Sequence, residues 1–183
     1  MKVVTLNSIA LKEHCWRLQN LCSGFNPELI IGIATGGAIV ADNMFSDLPH
    51  VTIKSCRPST RTKEHLNIIF SIVKYFPIKL KDYLRIREAR RLTHKKPLST
   101  TPSLSGDTIE TLKKYSRILI IDDAVDSGAT MSSVQDYVSA ITPNAVIKTA
   151  AITVTTDAPI LTPDYSLYNQ GILLRFPWSK DYR

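Results

Sequence analysis

The sequence contains little cysteine and no long apolar run. Cys15, Cys22 and Cys56 are the only cysteines among 183 residues, and their spacing fits no metal-ligand pattern. We therefore expect no disulfide framework, and we predict reduced thiols that are buried as small hydrophobic side chains. No stretch of 18 apolar residues occurs, which excludes an ordinary transmembrane helix. The N-terminal stretch lacks the apolar core of a signal peptide, so a cytoplasmic protein without membrane contact is expected.

Acidic residues are outnumbered among the charged side chains. The chain has 23 lysines and arginines against 16 aspartates and glutamates, which gives a formal net charge of +7 at pH 7. Segment 79–96 alone contains eight basic and two acidic residues, so it holds nearly all of the excess. Such a basic segment fits nucleic acid, an acidic partner or a polyphosphate substrate, and it equally fits a solvated helix face.

No internal repeat divides the chain. Its length of 183 residues suits one domain with a sizeable core, and its 44% hydrophobic and 21% charged residues are typical of a globular protein. We predict a single domain over residues 1–183.

The most informative stretch is Ile118–Thr130, which reads I-L-I-I-D-D-A-V-D-S-G-A-T. The apolar run Ile118–Ile121 predicts a strand that is buried on both faces, as in a parallel sheet. Asp122 and Asp123 then follow at the carboxyl end of the strand, where open α/β sheets bind their ligands. The small residues of Ser127–Thr130 offer backbone N–H groups and hydroxyls to a phosphate if they open a helix. The stretch therefore predicts a site for a sugar phosphate.

A second turn of the same kind lies upstream. Residues 29–34 predict another buried strand, and residues 38–45 predict a helix. Thr35, Gly36 and Gly37 join them, and glycine allows a phosphate to approach the backbone amides because it lacks a Cβ.

The other elements follow from apolar spacing and breakers. We predict helices over residues 8–22, 107–115 and 131–141, strands over 51–56 and 145–155, and a loop over 97–106. Residues 64–96 predict a helical hairpin interrupted at Pro77, whose second helix turns Leu80, Tyr83 or Leu84, and Leu92 inward. The basic residues of that helix are expected to face outward.

The stretch Ile118–Thr130 resembles the thirteen-residue signature of type I phosphoribosyltransferases, which bind phosphoribosyl pyrophosphate (PRPP). The resemblance implies an α/β fold with a central parallel sheet flanked by helices. Residues 64–96 are the part that the resemblance explains least, and from their helical spacing and the loop after them we expect residues 64–106 to form a helical insertion, or hood, and a flexible segment. It implies a pentosyltransferase of nucleotide metabolism that transfers the 5-phosphoribosyl group from PRPP to a nitrogenous acceptor and releases pyrophosphate. It also implies a homodimer.

The same resemblance assigns roles to the residues. Asp122 and Asp123 hold the ribose hydroxyls and Mg²⁺, and Asp126 lies near the acceptor, where it can take a proton. The 5-phosphate is bound by Asp126, Ser127, Gly128, Ala129 and Thr130. The pyrophosphate meets Thr35, Gly36 and Gly37, together with a closing loop that carries Arg57, Arg61 and Lys63.

The chain departs from the purine-specific members of that family at three places. Thr35 stands where many of them carry lysine or arginine, and residues 153–156 read T-V-T-T where they place a lysine that bonds the exocyclic oxygen of the base. The run Phe176-Pro177-Trp178 resembles the tail of bacterial xanthine, guanine and hypoxanthine enzymes, yet Leu173 occupies the position of a base-covering aromatic. These departures argue against an ordinary 6-oxopurine acceptor.

Other interpretations were weighed beside this one. Receiver domains and aspartyl-phosphate hydrolases also place paired carboxylates after a strand, but the further aspartate and the later lysine that they require are not in register here. A regulator of the same fold that senses PRPP and binds nucleic acid through segment 79–96 is an alternative to an enzyme. Residues 64–96 fit a hood that selects the acceptor, a dimer surface or a nucleic-acid arm.

Overall fold

A computed structural model of the chain describes residues 1–56, 76–92, 101–169, 171–179 and 181–182. The predictions for Arg57, Arg61 and Lys63, and for the first helix of the hairpin over residues 64–75, lie outside these described residues. Among the helices that the described ranges contain, none is both long and apolar enough to cross a bilayer.

The described residues contain eight strands in two sheets. They are β1 (Lys2–Thr5), β2 (Leu29–Ile33), β3 (His50–Cys56), β4 (Thr101–Ser103), β5 (Arg117–Val125), β6 (Val146–Val154), β7 (Tyr165–Asn169) and β8 (Ile172–Arg175). The larger sheet has the order β4-β3-β2-β5-β6-β7, and β1 pairs with β8 in a second sheet. All pairs are parallel except β3 with β4.

Five α-helices accompany the strands within the same described ranges. They are α1 (Ser8–Cys22), α2 (Gly36–Asp42), α3 (Ile78–Leu92), α4 (Gly106–Leu112) and α5 (Ala129–Ile141). Helices α1 and α2 contribute to the hydrophobic core on one face of the larger sheet, and α4 and α5 contribute to the core on the other face. The predicted α/β fold with a mostly parallel central sheet is confirmed.

Strand β5 lies at the centre of the larger sheet, between β2 and β6. Its residues Ile118–Ile121 are completely buried. Leu119 and Ile121 pack into the core beside α1 and α2, whereas Ile118 and Ile120 pack into the core beside α4 and α5. The continuous apolar run is therefore required because both faces of the strand are covered.

Helix α1 has the predicted bounds. Asn7 caps it, because its side-chain oxygen accepts a hydrogen bond from the amide of Ala10 at 2.8 Å. Cys15 and Cys22 lie on its buried face, with Leu11 and Leu18, and both thiols are free. Burial raises the pKa of each thiol to about 12, so the prediction that these two are buried as small hydrophobes is confirmed.

The prediction for α3 is wrong at Leu80, which faces outward, and at Lys81, which faces inward. Of the two alternatives Tyr83 and Leu84, Tyr83 is exposed and Leu84 is half-buried. Leu80 is 40% exposed and Tyr83 is 61% exposed, whereas Lys81 is buried. The apolar spacing was misleading because α3 docks onto the rest of the protein through charged side chains.

The docking contact of α3 is centred on Arg175 of β8, whose side chain is only 1% exposed. Its guanidinium donates to Asp82 of α3 at 2.6 Å, to Asp181 at 2.9 Å and to Thr5 of β1 at 2.9 Å. Arg85 of α3 donates to Asp181 at 2.8 Å as well. Part of the basic segment thus serves to hold α3 on the small sheet.

The loop predicted over residues 97–106 is also partly wrong. Thr101–Ser103 form β4 and extend the edge of the sheet beside β3. A strand of three residues that contains proline has no alternating pattern for sequence reasoning to detect.

The connections of β2 and β5 determine where a ligand crevice opens. The chain leaves β2 through α2 toward β3, and it leaves β5 through α5 toward β6 on the other side. Adjacent parallel strands whose helices cover opposite faces create a crevice at their carboxyl ends. The two turns singled out in the sequence follow β2 and β5, so they meet at this crevice.

Candidate functional site

The acidic pair packs directly against the glycine turn after β2. A Cβ on Gly36 would lie 2.1 Å from Oδ2 of Asp123, and a Cβ on Gly37 would lie 2.4 Å from the carbonyl oxygen of Ile121 and 2.8 Å from Cα of Asp122. A side chain on Gly37 would collide with the backbone of β5, and one on Gly36 would collide with the Asp123 carboxylate, so this close contact favours glycine at both positions. Sequence reasoning had attributed them only to the approach of a phosphate.

The carboxylates of the pair are half-buried and hydrogen-bonded near the carboxyl end of β5, which continues to Val125. The amide of Asp123 donates to Oδ1 of Asp122 at 2.9 Å, and the amide of Ala124 donates to Oδ1 of Asp123 at 3.0 Å. Burial raises the pKa of Asp122 well above its ordinary value, and the charges of Asp123 and Asp126 raise it further. The pair thus holds a proton on Asp122 to a higher pH than an isolated aspartate would.

Trp178 is a member of the site that sequence reasoning did not connect to the acidic pair. Its indole Nε1 donates a hydrogen bond to Oδ2 of Asp123 at 2.9 Å. Burial raises the pKa of Asp123, and the hydrogen bonds from Trp178 and Asp122 partly oppose that rise. The available signal was the run Phe176-Pro177-Trp178, which the sequence associated with the acceptor instead.

The turn before α2 provides no side-chain cap for the helix. The peptide bond between Ala34 and Thr35 is cis, and Thr35 occupies the N-cap of α2 without a side-chain capping bond. The first amides of the helix are therefore not satisfied by that side chain.

The turn before α5 combines a left-handed glycine with a covering segment. Gly128 has φ of 76°, and a Cβ there would lie 2.6 Å from the carbonyl oxygen of Leu161. The amide of Ile160 donates to the carbonyl oxygen of Ser127 at 2.7 Å, so the connection between β6 and β7 supports this turn. The amide of Ala129 contacts Oγ of Ser127 at 3.4 Å. The turn opens the 13-residue helix α5, whose N-terminus favours negative charge.

Asp126 is exposed and is held from one side by Thr155. The Thr155 hydroxyl donates to Oδ1 of Asp126 at 2.5 Å, and the amide of Thr155 donates to the carbonyl oxygen of Val125 at 2.9 Å. Thr155 belongs to the T-V-T-T stretch in which the sequence analysis noted a missing lysine. A hydroxyl there orients Asp126.

The donor set fits Mg²⁺ held together with a substrate. Among the described residues, no group of three or more histidine, cysteine, aspartate or glutamate side chains forms a metal cage. Mg²⁺ is usually bound by one or two carboxylates, with substrate phosphates and water as the remaining ligands. The carboxylates of Asp122 and Asp123 meet that requirement.

The structure brings the predicted residues of the two turns and the acidic pair together. Gly36 contacts Asp123, Gly37 contacts Asp122, and the charge of Asp126 reaches Asp122. The turn Ser127–Thr130 follows Asp126 directly, at the start of α5. The crevice thus brings paired carboxylates together with two helix N-termini, a combination suited to a ligand that carries both hydroxyls and phosphates.

Comparisons with known proteins agree with this arrangement. The sequence matches the family model described as the phosphoribosyl transferase domain over residues 10–168. None of the curated proteins compared with the chain matches it in sequence.

Solved structures of low sequence identity share the fold. A purine phosphoribosyltransferase from Pyrococcus horikoshii Ot3 is 22% identical, with 98% of this chain and 95% of that chain covered and a TM-score of 0.62. A xanthine-guanine-hypoxanthine phosphoribosyltransferase from Helicobacter pylori is 14% identical, with 97% and 94% covered and a TM-score of 0.63. A hypothetical protein from Neisseria gonorrhoeae with bound ppGpp is 12% identical, with 97% and 89% covered and a TM-score of 0.63.

The predicted type I phosphoribosyltransferase fold is thereby confirmed. Because the family model spans most of the chain, this protein belongs to the phosphoribosyltransferase family, the PRPP-dependent transferases.

Proposed function

We propose that the protein is an enzyme that transfers the 5-phosphoribosyl group from PRPP to a nitrogenous base and releases pyrophosphate. The observation that carries this proposal is the contact of Asp122 and Asp123 with Gly36 and Gly37. In that contact two carboxylates, which suit ribose hydroxyls, lie beside the turn that opens α2. A ligand with a diol between two phosphate groups suits such a crevice.

In this proposal the residues of β5 and of the two turns bind different parts of PRPP. Asp122 and Asp123 accept hydrogen bonds from the ribose hydroxyls and hold Mg²⁺. The turn Ser127–Thr130 binds the 5-phosphate at the N-terminus of α5, and the turn Thr35–Gly37 binds the pyrophosphate. Bound Mg²⁺ would neutralise charge on the leaving pyrophosphate. Arg57, Arg61 and Lys63 are proposed to add positive charge there.

The reaction at the anomeric carbon breaks the bond to pyrophosphate and forms a bond to a nitrogen of the acceptor. Asp126 is proposed to take the proton of that nitrogen, since its carboxylate is exposed and its Oδ1 is fixed by Thr155. Positioning and electrostatics account for most of the catalysis, because the residues around the crevice form no covalent bond to the substrate.

We propose that the acceptor is a base other than an ordinary 6-oxopurine. Two of the structural relatives are purine phosphoribosyltransferases, which supports a purine-like ring. The T-V-T-T stretch provides hydroxyls instead of a lysine, and the Thr155 hydroxyl is already bonded to Asp126. A site without that lysine discriminates less in favour of an exocyclic oxygen.

Release of pyrophosphate tests the proposed reaction. The protein is incubated with PRPP, Mg²⁺ and, one at a time, 6-oxopurines, adenine, pyrimidines and other nitrogen heterocycles. At least one acceptor should give pyrophosphate and the matching ribonucleotide. The variant Asp126→Asn should then lose roughly 10²–10⁴-fold in kcat. Asp136→Asn, which alters an exposed carboxylate on α5, is the control and should keep full activity.

We propose in addition that the chain is one domain into which residues 64–106 are inserted. The support is the network around Arg175, which joins α3 of the insertion to β1 and β8 near the two ends of the chain. Limited proteolysis that releases a stable folded core without residues 64–106 would argue for separate units instead.

A second candidate function is the regulator that binds nucleic acid through its basic segment. The observation in its favour is the exposed stripe of Lys79, Tyr83 and Arg87, spaced four residues apart on one face of α3. Cations beside an exposed aromatic ring suit the backbone and bases of a single strand. A titration with single-stranded RNA and DNA at several salt concentrations tests it, with Lys79→Ala/Arg87→Ala as the variant. A slope near zero in the salt dependence would reject it.

A further inference from the structure

The segment that follows β8 is folded into a tight turn over residues 176–179. The amide of Ser179 donates to the carbonyl oxygen of Phe176 at 2.9 Å, and the amide of Phe176 donates to Oγ of Ser179 at 3.0 Å. Pro177 at the second position suits such a turn because its φ is fixed. Trp178 therefore occupies the third position of a turn whose two ends are bonded to each other.

The ring of Trp178 is fixed by stacking. Its centroid lies 4.9 Å from that of Phe176, and the two planes differ by 8°. Phe176 itself is 3% exposed and belongs to the hydrophobic core. Since one face of the indole rests on a buried ring, rotation of Trp178 would forfeit this contact.

The turn is anchored on its far side by charge. Asp181 accepts from Arg175 at 2.9 Å and from Arg85 at 2.8 Å. Both arginines also bind other groups: Arg175 bonds Asp82, and Arg85 donates to the carbonyl oxygen of Leu174 at 2.7 Å. The segment is thus attached to α3 and β8 before and after Trp178.

The oxygen that Trp178 holds is the one that faces the glycine turn. Oδ2 of Asp123 receives the indole N–H at 2.9 Å, and the same Oδ2 would be 2.1 Å from a Cβ on Gly36. Oδ1 of Asp123 receives the amide of Ala124. Both oxygens of the Asp123 carboxylate are therefore fixed before any ligand binds. The bond from Ala124 comes from β5 itself, whereas the bond from Trp178 comes from the segment after β8.

We infer that Trp178 is a positioning residue for PRPP binding, which it supports by fixing the Asp123 carboxylate against the turn Thr35–Gly37. This inference rests on the proposed function, because it assigns Trp178 to the ribose and pyrophosphate side of that site and not to the acceptor. Because the Asp123 carboxylate is already fixed, PRPP binding does not have to meet the entropic cost of ordering that side chain. A hydrogen bond to a charged group is strong enough that its loss should weaken PRPP binding roughly tenfold.

The test combines a binding measurement with a spectroscopic one. The chain contains two tryptophans, and Trp16 is 62% exposed on α1, so Trp16→Phe leaves Trp178 as the single fluorescent indole. PRPP with Mg²⁺ is titrated into this variant while fluorescence and heat are recorded. Trp178→Phe is measured by calorimetry beside it, since phenylalanine keeps a ring on Phe176 but has no N–H.

The expected result has two parts. Trp178 fluorescence should change and saturate with the Kd found by calorimetry, whereas the Kd of Trp16→Phe should equal that of the unaltered protein. Trp178→Phe should raise the Kd for PRPP roughly tenfold and raise KM for PRPP more than it lowers kcat. Its unfolding midpoint should stay close to that of the unaltered protein, which a merely structural role would not predict.

Three outcomes would overturn the inference. An unchanged Kd for PRPP in Trp178→Phe removes the positioning role while the proposed function stands. If Trp178→Phe does not fold, a constant Trp178 fluorescence at saturating PRPP in the Trp16→Phe variant leads to the same conclusion. If the unaltered protein binds no PRPP, the proposed function itself fails and the inference fails with it.

Discussion

Asp123 and Gly36 are in direct contact, although they belong to different strand–helix connections: a methyl group on Gly36 would lie 2.1 Å from Oδ2 of Asp123. Real Cβ atoms do not approach an oxygen so closely, so an alanine there must move either the carboxylate or the turn. Both belong to the proposed PRPP site. The contact thus makes the position of the Asp123 carboxylate depend on which residue occupies position 36.

Gly36→Ala should therefore weaken PRPP binding by about tenfold or more, because it displaces the Asp123 carboxylate. Calorimetric titration with PRPP and Mg²⁺ measures the Kd. The matched control is Gly24→Ala, since a Cβ at Gly24 meets nothing within 4 Å. Equal affinities of Gly36→Ala and Gly24→Ala would contradict the described contact.

Thr155→Val should lower kcat with little change in KM for PRPP. The substitution removes the hydroxyl that holds Asp126 and leaves the acidic pair untouched. A proton acceptor that is no longer oriented is expected to cost roughly tenfold in kcat. Steady-state kinetics with the acceptor found in the pyrophosphate assay measures it, with Thr156→Val as the neighbouring control. A kcat unchanged in Thr155→Val would speak against the role of Asp126.

Arg175→Met should destabilise the protein by about 2 kcal/mol or more. The buried guanidinium donates to Thr5, Asp82 and Asp181. Its removal takes this partner from both carboxylates, of which Asp181 keeps Arg85. Asp82 retains 34% exposure, which moderates the cost through solvation. Urea unfolding gives the free energy, and Arg87→Met on the exposed face of α3 should change it by less than about 0.5 kcal/mol. Similar losses in the two variants would refute the anchoring role of Arg175.

Cys15 and Cys22 should resist alkylation in the folded protein. Their pKa of about 12 exceeds the ordinary value of 9.0, so at pH 8 only about one thiol in ten thousand is ionised, and both are buried. Because the folded state keeps these protons above pH 9 while the unfolded state releases them, the two thiols should also make stability fall as pH rises past about 9. Iodoacetamide labelling in a Cys56→Ser background measures the reactivity. Labelling at pH 8 that is as fast without urea as with it would rule out this burial.

The central strand and its acidic end could be predicted from local sequence. A strand buried on both faces leaves a continuous apolar run, and the carboxylates that follow interrupt it at one point, so Ile118–Ile121 and Asp122 both carry a local signal. The same holds for β2 and the glycines after it. Their spatial neighbourhood followed from the rules of parallel sheets and from the family resemblance.

The contacts that complete the site could not be predicted in this way, because they join residues distant in sequence. Trp178 lies 55 positions from Asp123, and Thr155 lies 29 positions from Asp126. Each is a side-chain hydrogen bond that depends on how the last third of the chain folds back over β5. The orientation of α3 was predicted wrongly for a related reason. Helical spacing predicts which apolar face is buried, but it carries no information about an arginine that is buried on another strand.

Binding of PRPP to the acidic pair is the central claim, and calorimetry with and without Mg²⁺ tests it most directly. The unaltered protein and Asp136→Asn should bind PRPP in the presence of Mg²⁺, and EDTA should weaken that binding strongly. Asp122→Asn/Asp123→Asn should lose about a hundredfold or more in affinity while it unfolds at a similar temperature. If the double variant binds PRPP as tightly as the unaltered protein, the site lies elsewhere and the account is wrong.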